Sequence, residues 1–253
     1  MNGFWVLLRK EFREQFKTSK VIVVAAVFLF FGLSTPLLIK YTPELIKMVG
    51  TGGITIEMPP PTSGQALAEY TSTMSQFGVL MAVLVAMGAI AKEVETGTAA
   101  MVLSKPAGRL AFIVAKLKAS SFTFLVALVL GGLACWGYTV LLFGDANAAG
   151  FLYQNLLLGL FFVMCLSVTL LFSSLFKSQL AAGGLALATL IFEAAISNLP
   201  WVGRYLPGQL ISWGNKLVLG QPGPSEWGAV AVVAVLVGLS VYFTWLSLRK
   251  KEL

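Results

Sequence analysis

The chain has 253 residues, 57% of them hydrophobic and only 11% charged, with a mean hydropathy of +0.84. Soluble domains carry about a quarter charged residues, so a water-soluble fold of this size is excluded and lipid must solvate much of the chain. The net charge of +7 is dispersed in clusters between apolar runs rather than gathered in a nucleic-acid patch, and with no histidine there are no His-ligated metals, Ser-His-Asp triads or His proton relays.

In chain order, residues 2–20 come first. Trp5, Leu8, Phe12 and Phe16 recur at three- and four-residue steps with Arg9, Lys10, Arg13 and Lys17 between them. The pattern predicts an amphipathic helix in the membrane interface, aromatic face in lipid and cations near anionic headgroups. A plain basic flank is the alternative. No cleavable leader pattern is expected, since the first apolar run begins only at Val21.

A span needs about 20 apolar residues. Six stretches qualify, at about 21–39, 71–91, 119–144, 152–176, 179–199 and 227–248. Cys135 and Cys165 fall inside them and read as small hydrophobes, not as a disulfide or zinc pair. Fourteen of the eighteen Lys and Arg residues lie in the N-terminal segment, the 92–118 connection, the turn at Lys177 and the C-terminal tail. The positive-inside rule then puts both termini in the cytoplasm. The expected fold is all-α and integral to the membrane, one transmembrane domain over residues 1–253.

Loop 41–70, rich in Gly and Pro, is expected to lie outside and be irregular, with no chemistry assigned to it. In the connection after span two, Lys92, Glu93 and Glu95 end the span at the surface. Thr96 and Gly97 break the chain, Thr98 can cap a short helix, and Lys105-Pro106 stops it. This reads either as a plug for a groove on a cytoplasmic partner or as an ordinary charged loop. Segment 200–226 holds Trp201, Tyr205 and Trp213 between prolines and is expected to form short re-entrant helices in the outer leaflet, or else an aromatic surface loop.

Glu193 is the one ionisable residue inside a span. It could contact a polar substrate group, pair with Arg204, or sit protonated against a backbone carbonyl. Small residues at four-step spacing, Gly78/Ala82/Ala86 and Gly184/Ala188, predict close helix packing, within the subunit or across a dimer.

The stretch Glu93–Lys116 resembles the pattern E-x-x-x-G-T … L-x-x-P-x-x-R … K of membrane subunits of ABC exporters of the ABC-2 class. The opening Trp5–Arg13, W-V-L-L-R-K-E-F-R, resembles their interfacial helix. Small six-span permeases of nitrous-oxide-reductase maturation and bacitracin-type resistance exporters look most similar. The resemblance implies ATPase coupling through Glu93, Glu95, Gly97, Thr98, Lys105, Pro106 and Arg109, with Trp5, Arg9, Phe12, Arg13 and Phe16 on the interfacial helix. It also implies a homodimer carrying two separate ATPase subunits.

The sequence has no G-x-x-x-x-G-K-[ST] loop, so ATP and Mg are expected in that partner and no cofactor in this chain. The expected activity is export of an amphipathic or hydrophobic cargo (lipid, peptide antibiotic or drug) across the cytoplasmic membrane, with a sulfur- or copper-related cargo as runner-up. An ion- or proton-coupled transporter or channel using Glu193 is the alternative from another class. A membrane enzyme has no histidine and no paired carboxylates in the spans to work with.

Overall fold

The computed structural model describes residues 2–49, 59–97, 108–197, 199, 201–221 and 223–250. All regular structure among them is helical: α1 (Asn2–Lys17), α2 (Lys20–Val49), α3 (Ser63–Ala86), α4 (Ala91–Glu95), α5 (Arg109–Phe143), α6 (Ala148–Leu175), α7 (Gln179–Ile196), a 3-10 turn (Gly203–Tyr205), α8 (Gly208–Val218) and α9 (Trp227–Lys250). Six helical stretches are long and apolar enough to cross a membrane: α2, α3 continued through α4, α5, α6, α7 and α9. The fold is thus all-α and transmembrane, as the composition requires. One end of the bundle, the basic end, gathers α1, α4 and the start of α5.

Three helices run past the apolar stretches that announce them. α2 runs through Pro36 and Pro43 to Val49, and α3 already starts at Ser63, so the loop expected over 41–70 is largely helical at both ends. The reason at α3 is a capping box: Thr62 Oγ1 accepts the Gln65 N–H while Gln65 Oε1 accepts the Thr62 N–H. α5 begins at Arg109, ten residues before its expected span, because Lys116 within it is neutralised by Glu11 and Glu93.

α6 is the hub, packing against α3, α5, α7, α8 and α9. The most extensive single contact joins α2 to α5. Gly32 and Gly131 make it possible: a methyl on Gly131 would lie 2.7 Å from the Phe28 carbonyl oxygen, and one on Gly32 would run into the Gly131 carbonyl. Phe28, Phe124 and Phe162 meet beside it with ring centroids 5.3–5.9 Å apart. Gly78 faces the Phe162 ring, and Ala82 and Ala86 are fully buried, so the first small-residue stripe is spent inside the subunit. The second is not: a would-be methyl on Gly184 meets no atom of the described residues within 4 Å, and Gly184 and Ala188 are exposed.

Between α7 and α9 the chain forms the 3-10 turn and the amphipathic α8, which packs on α6 and α3 through Leu210, Gly214 and Val218. A polar chain clamps it there. Gln154 Nε2 donates to Asn215 Oδ1 at 2.7 Å, and Asn215 Nδ2 donates to Ser72 Oγ at 3.3 Å.

Candidate functional site

Among the residues singled out by the motif after span two, Glu93 is turned inward. It lies on α4, and its Oε1 receives Lys116 Nζ at 3.0 Å and Lys10 Nζ at 2.9 Å. Lys116 also reaches Glu11 Oε1 and Oε2 at 3.2 and 3.1 Å. The side chains of Lys116 and Glu11 are 3% and 5% exposed, and that of Lys10 is 42% exposed. Four charges from three elements, α1, α4 and α5, thus close one network at the basic end.

A buried charge costs several kcal/mol unless it is paired and hydrogen-bonded, which is why Lys116 collects two carboxylates. Partial burial alone would lower the pKa of Lys10. The Glu93 hydrogen bond and the Glu93 and Glu11 charges outweigh it and hold Lys10 above its ordinary 10.5. The carboxylates of Glu11, Glu14 and Glu93 come within 4.8 Å of one another, but Lys10 and Lys116 already supply the positive charge that a metal would bring.

The network continues as a polar seam between α1 and α5. Gln15 Nε2 donates to Ser120 Oγ, and Thr123 Oγ1 donates to Gln15 Oε1, each at 3.4 Å. These needs roll α1 toward α5 and correct the expectation of a whole aromatic face in lipid. Trp5 and Phe16 are exposed, but Leu8 is buried and Phe12 packs edge-on against Phe122 at 5.0 Å. Arg9 and Arg13 are exposed. Sequence reading missed Glu11 and Gln15, although the polar stripe Lys116/Ser120/Thr123 at helical spacing in an otherwise apolar helix was a usable signal.

α3 and α4 are joined by a turn over residues 87–90. Backbone groups exposed by a break in a spanning helix need partners, and Ser173 of α6 supplies them. Its hydroxyl oxygen accepts the N–H groups of Ile90 and Ala91, each at 3.0 Å, and donates to the Met87 carbonyl at 2.7 Å. Beyond α4 the chain turns at Gly97, whose φ of +70° is a left-handed conformation that glycine adopts freely. Glu95, Gly97 and Arg109 are exposed. Thr98, Lys105 and Pro106 lie outside the described residues.

Glu193 is far from this network along the chain and is held differently. Its Oε1 accepts the Ser197 hydroxyl at 2.7 Å and the Gly208 N–H, at the start of α8, at 3.2 Å. A helix N-terminus favours a carboxylate. Arg204, one expected partner, instead stacks over the Tyr205 ring at 5.1 Å.

Comparison with known proteins agrees with this architecture. The chain is 26% identical over 250 residues to an uncharacterised transmembrane protein, YxlG, of Bacillus subtilis (strain 168), covering 97% of each chain. The pattern that defines the ABC-2 family transporter proteins matches residues 5–222, from the interfacial helix past α8. With an all-helical six-span bundle and most of its length matched, the chain belongs to the ABC-2 family of transporter proteins, and is a multi-pass membrane permease of the ABC type.

Proposed function

We propose that this chain is the membrane subunit of an ATP-driven exporter: two copies pair in the cytoplasmic membrane, two separate ATPase subunits dock on the basic end, and an amphipathic or hydrophobic substrate moves outward. The basic end is then cytoplasmic, with both termini there. The observation that carries the reading is the Lys116 network. It ties the interfacial helix α1, the break at α4 and the start of α5 into one rigid unit, directly beside the exposed Glu95, Gly97 and Arg109. A push on that connection from a nucleotide-driven partner would reach both α1 and α5 without loss in a soft joint.

ATP and Mg belong to the partner, because the sequence offers no phosphate-binding loop. The outward-facing Gly184 and Ala188 on α7, a helix only 22% buried, support pairing of two copies through that helix. The scarcity of polar groups in the apolar runs of the spans, where Glu193 is the one ionisable acid, favours a lipid, peptide antibiotic or drug as cargo. Glu193 is already engaged by Ser197 and α8, so nothing in its geometry favours the ion-coupled alternative.

The test is reconstitution of the chain with its cognate ATPase in proteoliposomes. ATP hydrolysis and outward movement of a fluorescent amphipathic substrate should both require the two proteins together. Hydrolysis by this chain alone would overturn the assignment.

A further inference from the structure

A groove of about 600 Å³ runs between α5 and α6, open along its side and lined from Ser121 to Trp136 on one helix and from Ala148 to Val163 on the other. That size falls within the roughly 300–1,000 Å³ of small-molecule sites. Fifteen residues of α5 separate its ends, or about 22 Å at helical rise. Among the described residues no charged one lines it, and Phe124, Leu128, Leu156 and Leu160 are part of its wall.

One end differs. Trp136 Nε1 and Asn155 Oδ1 belong to lining side chains, are shielded from water, and have no hydrogen-bond partner among the described residues. Asn155 Oδ1 lies 3.2 Å from where a methyl on Gly132 would sit, so it stands level with Gly132, one helical turn from Trp136. A donor and an acceptor left unpaired within a membrane are costly, because no water is there to satisfy them. Turning the Asn155 carbonyl into the groove gives up the Nδ2 hydrogen bond to the Phe151 carbonyl oxygen, now 2.8 Å, but the amide torsion itself is soft.

We propose that this groove binds a neutral single-chain amphiphile, its apolar chain along α5 and α6 and its hydroxyl or amide group between Asn155 and Trp136. A hydroxyl or amide both donates and accepts, which matches the pair of orphaned atoms. A carboxylate or phosphate would enter a site with no counter-charge, and a plain hydrocarbon would leave both atoms unpaired. Binding is a property of this chain alone and stands apart from the ATP-driven reading.

The experiment uses the purified full chain in phosphatidylcholine nanodiscs with a photoactivatable monoacylglycerol whose diazirine sits mid-chain. Adducts should concentrate on Leu125, Leu128 and Leu156. Gly159→Leu, whose new side chain grows toward Leu128, should abolish them, and Leu125→Trp, at an exposed lining position, serves if that variant fails to fold. Asn155→Leu should weaken competition by unlabelled monoacylglycerol roughly two- to tenfold, the loss of one hydrogen bond. A diazirine fatty acid in its charged form and a lysophosphatidylcholine should label the groove poorly. Adducts spread evenly over lipid-facing residues such as Ile22, Val23 and Leu180, or equal labelling by the charged probes, would overturn the proposal.

Discussion

Glu11 and Lys116 stand 105 residues apart in the chain, yet their side chains meet at 3.1 Å with almost no access to solvent. Breaking a buried pair from one side leaves the other charge uncompensated, at a cost of about 3–5 kcal/mol. Lys116→Met should therefore lower the thermal midpoint of the detergent-solubilised chain sharply. Glu11→Gln combined with Lys116→Met should cost less than the sum of the two single changes, since residues in one network couple. Strictly additive losses would show that the pair is not a unit.

Ser173 anchors the α3–α4 turn with three hydrogen bonds from one hydroxyl. Ser173→Ala would leave two N–H groups and one carbonyl without that partner, a penalty of about 1–3 kcal/mol for each group that stays unsatisfied. The change is expected to destabilise the chain and to speed hydrogen exchange at Ile90 and Ala91. Unchanged exchange there would mean that the turn is held by packing alone.

How far the fold could be read in advance follows from the physics of each signal. Six apolar runs are legible because lipid imposes a length and a composition on every span. Their ends are not, because charge neutralisation and capping are long-range or local details: Lys116 enters its helix only because Glu11 and Glu93 arrive from elsewhere. The left-handed turn at Gly97 was visible as a glycine after charged residues. Ser173 was not visible at all, since a serine in an apolar run carries no mark of the break it repairs 82 residues away. The Asn215 clamp was hidden for the same reason.

At Glu193 the two hydrogen bonds to Oε1 predict a division between variants. Glu193→Gln keeps an acceptor for Ser197 and Gly208 and should preserve both stability and transport. Glu193→Leu removes it and should loosen α8, raising proteolysis between α7 and α9. Full stability combined with lost transport in Glu193→Gln would instead assign the carboxylate to substrate or gating.

The orientation is testable with an impermeant thiol reagent on intact cells, using the exposed positions 96, 177, 145 and 221. Cys135 and Cys165 are buried and should not interfere. Thr96→Cys and Lys177→Cys should be shielded, whereas Asp145→Cys and Gln221→Cys should label. Labelling at position 96 from outside would invert the bundle and remove the docking proposal with it.

If the connection after α4 docks into an ATPase, its exposed charges should govern association and its backbone should govern transmission. Glu95 and Arg109 lie beyond the apolar runs 71–91 and 119–144, at the ends of their helical stretches, so replacing either with alanine should leave membrane insertion and pairing intact. Removing one charge-assisted hydrogen bond from a desolvated interface costs about 1.5–3 kcal/mol, so partner binding should weaken tenfold or more. Gly97→Val acts differently. At φ +70°, with none of the described residues within 4 Å of its would-be methyl, the obstacle is backbone conformation. A β-branched residue is a steric outlier at that φ, so the chain must leave the left-handed turn at residue 97. The partner should then still bind, through Glu95 and Arg109, but substrate-stimulated hydrolysis should fall. Pull-down and hydrolysis assays on the three variants separate these effects. Parental behaviour of all three in both assays would make the segment a solvated connector and move the coupling elsewhere on the basic end.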